Sequence, residues 1–210
     1  SESGGIKHNG FAFSSMHPNY KNNDALRKPP WLKKRLPQAA NYAYLKDILS
    51  KNKLHTICES GNCPNIGECW NNGTATFMIL GNTCTRSCSF CAVATGKPEA
   101  PDKLEPLKLA EIVLQMKLKH CVITSVDRDD LKDYGATHWA ETITQIKSLC
   151  PEASVEALIP DFKGSIDCIN KVMNSKPDII SHNLETVERL TKQVRPQASY
   201  ATSLKVIKTI

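Results

Sequence analysis

At 210 residues the chain is long enough for one sizeable core, and a composition 40% hydrophobic and 23% charged excludes both a disordered tract and a membrane-embedded bundle. No apolar run reaches transmembrane length, and no charged-then-apolar signal segment opens the chain. The net charge of +6 suits an acidic partner but is too modest and scattered to indicate a nucleic-acid interface.

Residues 1–27, rich in Ser, Asn, Gly and His and without periodicity, read as a loose N-terminal tail. Pro29, Pro30 and Pro37 then punctuate a basic stretch with Arg27, Lys28, Lys33, Lys34 and Arg35. That stretch is either a solvated face or a dock for an acidic carrier domain. Ala39, Tyr42, Ala43, Leu45, Ile48 and Leu49 fit one face of a short helix. The Gly-, Asn- and Pro-rich stretch Cys58–Cys69 reads as a loop, so residues 28–73 form an N-terminal extension.

The rhythm changes at residue 74. Strand runs at Thr76–Leu80, Cys121–Ser125, Val155–Ile159 and Asp178–Ser181 alternate with helical faces carried by Leu109/Ile112/Val113/Met116, by Trp139/Ile143/Ile146/Cys150 and by Ile166/Ile169/Met173. Val187, Leu190 and Val194 open a further helix. Such alternation predicts an α/β fold, a parallel sheet wrapped by helices over residues 74–210. Polar residues recur at the C-terminal ends of the strands: Asn82 and Thr83, Ser125 with Asp127, Asp161, then His182 and Asn183. That placement favours a partial parallel (β/α) barrel over a doubly wound sheet.

Nine cysteines in a chain without a secretory signal argue against a disulfide framework. Cys121, Cys150 and Cys168 stand singly within apolar patterns and read as small core residues. The other six form two triplets, Cys58-x4-Cys63-x5-Cys69 and Cys84-x3-Cys88-x2-Cys91. Thiolates bind soft metals, and close spacing lets one loop reach one centre. A structural zinc site closes with four ligands, so His55 with Cys58, Cys63 and Cys69 is the zinc alternative for the first triplet. An iron–sulfur cube held by three cysteines keeps one iron open to an external ligand, and the second triplet, with Phe90 before its last cysteine and a strand before its first, suits that purpose.

Cys84-Thr-Arg-Ser-Cys88-Ser-Phe-Cys91 resembles the signature of the radical S-adenosylmethionine superfamily, and the upstream triplet is similar to the auxiliary-cluster motif of its lipoyl synthase family. Ala75–Gly81, Thr124–Leu131, Ile159–Phe162, His182–Thr186 and Val194-Arg195 extend the resemblance, which covers the chain from about Pro30 onward. It implies two [4Fe–4S] clusters: one on Cys84, Cys88 and Cys91 that binds and cleaves S-adenosylmethionine, and an auxiliary one on Cys58, Cys63 and Cys69 that gives up sulfur. It implies a radical attack on carbons 6 and 8 of an octanoyl chain carried on a lysine. The backbone of Phe90 would face the adenine. Ser125, Asp127, Glu156 and Asn183 would hydrogen-bond the methionine or ribose portion, each with an alternative as a cap or a solvating group at the barrel mouth. Arg195 would steer a carboxylate or pair with a surface acid, and Asp127–Asp130 reads as a solvated loop with internal pairing.

Implied partners are octanoylated lipoyl domains of 2-oxoacid dehydrogenase acyltransferase subunits, the glycine cleavage H protein, a ferredoxin or flavodoxin reductant and an iron–sulfur carrier protein. Neither nucleic acid nor membrane is among them. The implied compartment is bacterial cytoplasm, or a mitochondrial matrix or plastid reached with a targeting peptide. The family's C-terminal Arg-Ser-Ser-Tyr stretch, whose serine completes the auxiliary cluster, has no counterpart before Ile210, and Ser199-Tyr200 sits too early and lacks the arginine. We therefore expect a chain lacking its last strands. Rival readings are a biotin-synthase-like sulfurtransferase, a two-cluster electron carrier and a zinc-binding module.

Overall fold

The computed structural model describes residues 40–52, 54–60 and 63–210, with side chains from residue 46 onward. All of these fall within one compact unit, residues 35–210. The expected tail and the basic segment lie outside the described residues.

Helix α1 (Ala40–Lys51) leads into β1 (His55–Thr56), α2 (Ile57–Ser60) and α3 (Ile66–Asn71). The stretch expected to be a loop between Cys58 and Cys69 therefore carries two short helices, each too brief to leave a periodic signal. Then follow β2 (Thr74–Ile79), a small ladder of β3 (Thr83–Cys84) with β4 (Ala94–Thr95), α4 (Glu105–Gln115) and β5 (His120–Ser125). The remaining elements are α5 (Ala136–Leu149), β6 (Ser154–Leu158), α6 (Ile166–Asn174), β7 (Ile179–Ser181), α7 (Thr191–Val194) and α8 (Tyr200–Thr209). The main sheet runs β1-β2-β5-β6-β7, with β2, β5, β6 and β7 mutually parallel and β1 antiparallel on the edge. The expected α/β architecture is present as an open arc of a barrel.

Strand alternation divides the sheet into two working faces. Phe77 and Ile79 of β2, Cys121 and Ile123 of β5, and Val155 and Ala157 of β6 are buried in the core. Helices α4, α5 and α6 contribute Leu109 and Val113, Trp139 and Ile143, and Ile169 and Val172 to the same core. The larger aliphatic and Phe side chains among these contribute about 1.5–3 kcal/mol each when withdrawn from water. Cys121, Cys150 and Cys168 are buried, as their apolar settings predicted. The opposite face presents Thr76, Met78, Thr124 and Leu158 to a cavity.

Local signals place the helix ends. Ser165 caps α6 by accepting from the Cys168 N–H, and Ser199 caps α8 by accepting from Thr202. Pro106 sits in the first turn of α4, where its missing N–H costs nothing.

The end of β2 needs a different device. Leu80 is left-handed, with φ 68°, although it is not a glycine. Its N–H donates to the Glu105 carboxylate at 2.8 Å, its carbonyl accepts from Arg128 Nη1 at 3.1 Å, and its side chain lies against Gly135. Glu105 is itself held by His138 Nε2 at 2.6 Å. A Cβ at Gly135, whose φ is 86°, would stand 2.5 Å from Leu80 Cδ1. Gly135→Ala should therefore destabilise the fold by about 2–3 kcal/mol through overpacking and left-handed strain, read as a lowered midpoint in urea denaturation.

Candidate functional site

No helix among the described residues is long and apolar enough to cross a membrane. Ser125 and Asp127 after β5 and His182 and Asn183 after β7 converge on a cavity of about 320 Å³ at the C-terminal ends of the parallel strands, whereas Asn82 and Thr83 after β2 line a separate cavity of about 760 Å³ and Asp161 lines neither. Cys84, Cys88 and Cys91 all line it, together with Phe90. Ser125, Asp127 and Asn183 line it from the strand ends, joined by Arg195. Glu156 does not line it. It sits on the same sheet face, two residues deeper than Leu158, where it accepts from the Ser181 hydroxyl at 3.0 Å and faces His120 at 3.5 Å.

The cysteine loop is closed at its base by β3 and β4, and the Gly96 N–H donates to the Cys84 carbonyl at 3.0 Å. Cys84 Sγ accepts the backbone N–H of Arg86 at 3.4 Å and of Asp127 at 3.3 Å. Burial pushes the Cys84 thiol up to about 11, with the Asp127 carboxylate adding to the effect and those N–H donors opposing it. Burial also raises the Cys88 thiol, against the pull of the Arg195 guanidinium. Burial raises Asp127 despite Arg86 beside it, because Asp161 and Asp129 crowd the same space.

The other strand-end residues are held in turn. Ser125 accepts from Trp139 Nε1 at 3.3 Å. The Asn183 carbonyl accepts from Arg195 Nη1 at 3.2 Å, as does that of Leu184 at 3.3 Å. Arg195 is thus buried on backbone carbonyls and Ser203 beside the cavity, which overturns the surface ion pair that was one of its two expected settings. His182 donates through Nδ1 to the Ile159 carbonyl at 2.8 Å, since a carbonyl only accepts, so Nε2 is a bare acceptor without a partner among the described residues. Burial, aided by Arg195, lowers the proton affinity of that imidazole.

The Asp127–Asp130 segment corrects another expectation. It pairs internally, Arg128 to Asp130 at 2.9 Å, but Arg128 is buried and reaches the carbonyls of Leu80 and Glu99. Asp129 and Asp161 meet Arg86, a residue of the cysteine loop that sequence reasoning did not single out. The only sequence signal for it was a cation between two cysteines and a run of aspartates downstream, with nothing to specify the pairing.

In the first triplet, Cys58 is buried on α2 and bonds backbone at Thr76, while Cys63 and Cys69 are half-buried. Burial raises the Cys58 thiol, with a smaller contribution from Cys63 and Cys69, whose charges therefore reach it. Its chain neighbour Ile57 lines the same cavity as the second triplet. No three His, Cys, Asp or Glu side chains among the described residues converge on a single-ion position. A multi-iron cluster requires a different geometry, each thiol on its own iron. Three thiols on one cavity wall, with amide donors aimed at a sulfur, fit such a group.

Exposure and burial set thiol reactivity, since the thiolate is the nucleophile. Cys91 is exposed, Cys121 is fully buried with its proton affinity raised by burial, and Cys84 at about 11 has roughly a thousandfold deficit of thiolate at pH 8. Brief alkylation of the iron-free protein at pH 8, read by peptide mass spectrometry, should label Cys91 well ahead of Cys84 and leave Cys121 unmodified until denaturant is added.

Comparison with known proteins agrees with this geometry. Residues 78–210 match the Radical SAM superfamily, and residues 12–63 match the N-terminal domain of lipoyl synthase of that family. The chain is 58% identical over 185 residues to a lipoyl synthase of Phocaeicola vulgatus, covering 88% of this chain and 65% of that protein. It is 55% identical over 181 residues to a mitochondrial lipoyl synthase of Nematostella vectensis, covering 86% and 62%. Against the lipoyl synthase of Karelsulcia muelleri it is 57% identical over 190 residues, covering 90% and 66%. The chain thus spans slightly under two thirds of the length of these relatives.

Proposed function

The chain belongs to the radical S-adenosylmethionine superfamily, and on that premise we propose that it acts as a lipoyl synthase, inserting two sulfur atoms at carbons 6 and 8 of an octanoyl chain on a carrier-domain lysine. Membership implies iron–sulfur chemistry and S-adenosylmethionine. We assign Cys84, Cys88 and Cys91 to the cluster that binds S-adenosylmethionine and Cys58, Cys63 and Cys69 to an auxiliary [4Fe–4S] cluster. When bound, these groups supply the electron that cleaves S-adenosylmethionine, the hydrogen abstraction that follows, and the sulfur that is inserted. In this reading residues 28–73 are the auxiliary-cluster extension and residues 74–210 the core.

One observation carries the proposal: Ile57, next to Cys58, lines the cavity that holds the other three thiols. The first cysteine group thus begins one residue from the chamber that the second group lines, and a transfer of sulfur from one centre to a carbon activated at the other requires such nearness. The chain's own residues divide that chamber chemically. Ile57, Met78, Val93 and Leu158 give it apolar wall that suits an alkyl chain and excludes water. Asp127, Asn183, Arg195 and the acceptor edge of His182 are polar groups suited to the amino acid and nucleoside portions of the cofactor.

The partners in this reading are octanoylated lipoyl domains of acyltransferase subunits, the glycine cleavage H protein, a ferredoxin or flavodoxin and an iron–sulfur carrier. The compartment in this reading is bacterial cytoplasm, or alternatively a mitochondrial matrix or plastid, one relative being named as mitochondrial.

Anaerobic reconstitution of the full-length protein should give about eight irons per chain for two four-iron clusters, and a content of one or two zinc ions would sink the assignment. Alanine at Cys84, Cys88 or Cys91 should abolish 5′-deoxyadenosine formation. Alanine at Cys58, Cys63 or Cys69 should spare deoxyadenosine formation while eliminating sulfur insertion, both measured by mass spectrometry on an octanoylated carrier peptide. Equal loss of both products in the two sets of variants would contradict the division of labour.

A further inference from the structure

Between Cys84 and Cys88 lies an arginine whose side chain is 2% exposed. We propose that Arg86 is a positioning residue that folds the Cys84–Cys91 loop around its three thiols ahead of any cluster, by engaging aspartates delivered from two strand ends. The proposal takes from the previous section only that these thiols share one ligand.

A guanidinium has five N–H donors in a rigid fork, and here four of them make hydrogen bonds to two carboxylates. Nε and Nη2 grip the two oxygens of Asp129, both at 2.8 Å. Nη1 and Nη2 grip the two oxygens of Asp161 at 2.8 and 2.7 Å. Nη1 also stands 3.4 Å from Asp127 Oδ1. Asp129 and Asp127 follow β5, and Asp161 follows β6, so one side chain of the loop reads the relative position of two neighbouring strands. Hydrogen bonds from Arg86 hold Asp129 and Asp161 below the usual carboxylate range even though burial opposes their charge.

The acceptors are themselves fixed. Phe162, Lys163 and Gly164 all have positive φ, an unfavourable run for the first two, and this kink presents Asp161 to Arg86. The Asp161 side chain accepts from the Lys163 N–H, while Lys163 Nζ closes on Asp129 at 2.9 Å. Lys205 Nζ, from α8, donates to the Gly164 carbonyl at 2.8 Å.

The backbone beside Arg86 is stitched to the same segment. The Thr85 N–H and hydroxyl both donate to the Asp127 carbonyl, at 3.0 and 2.9 Å, and the hydroxyl accepts from the Asp129 N–H at 3.1 Å. Further along, Gln197 holds Ser87 through two bonds, and the Ser89 N–H donates to the Val194 carbonyl. Every one of these bonds is made by the chain itself. Lysine keeps the charge at position 86 but, as a single ammonium, cannot fork to two carboxylates.

Hydrogen exchange on the iron-free full-length protein tests this apart from the identity of the metal. Arg86→Lys should accelerate exchange at the amides of residues 85–91 by about tenfold while the amides of β6 and α5 keep wild-type rates. Asp161→Asn, which retains the guanidinium and Asp129, should accelerate the same amides by a smaller factor. After reconstitution, Arg86→Lys should hold about four irons per chain instead of about eight, with the auxiliary cluster spectrum retained. Loop exchange within about twofold of wild type in both variants overturns the proposal, as does uniform acceleration across the whole chain, which would make Arg86 a general stability residue. Loss of loop protection with zinc rather than iron bound would leave Arg86 in this role and instead overturn the functional reading.

Discussion

A buried guanidinium is tolerable only when its charge is compensated, and Arg86 achieves this with four hydrogen bonds to carboxylates that must arrive from two strands at once. Removing one partner from such an arrangement leaves a charge uncompensated away from water. The ends of β5 and β6, the kinked turn after β6 and the cysteine loop are therefore satisfied together or not at all. This makes the barrel mouth a rigid frame, although most of its residues belong to connecting loops.

Below that frame the sheet separates stability from chemistry by alternation. Residues such as Ile123 and Val155 supply the packing against α4, α5 and α6, whereas Thr124 and Leu158, one or three positions along, face the cavity. The edge strand β1 pairs antiparallel with β2, His55 opposite Met78 and Thr56 opposite Phe77, and the chain then turns directly into the helix bearing Cys58. Two short residues of ladder thereby hold the start of α2, with Ile57 on the cavity wall, at the edge of the sheet. The arrangement explains how a segment far upstream of the core contributes to the wall of its cavity.

Much of this was legible in the sequence, for definable reasons. The alternation of Cys121–Ser125 and Val155–Ile159 with helical faces encodes period, and period survives without knowledge of partners. The cysteine spacings encode local geometry, so Cys84, Cys88 and Cys91 could be placed on one wall. Of the two settings expected for Arg195, the surface ion pair is absent because its acceptors are backbone carbonyls, which any sequence supplies. Glu156 was expected among the cavity groups because it lies on a strand, but depth along the strand depends on the register between β6 and β7, and that is fixed by pairing rather than by composition. Arg86 was overlooked because its partners lie 43 and 75 residues away. Cysteine-rich loops draw attention to their sulfurs, and nothing local distinguishes a buried arginine from a solvated one.

The left-handed Leu80 joins two positions far apart in sequence into a single unit of heredity. Its side chain occupies the space that any residue but glycine would need at 135, so neither site can drift freely while the other stays as it is. A side chain gained at 135 displaces that of Leu80, and shortening Leu80 to make room opens a void at the end of β2 immediately before the cysteine loop. The cost of a substitution at either position therefore depends on the other, even though neither residue touches a metal, a substrate or a partner in the proposed chemistry.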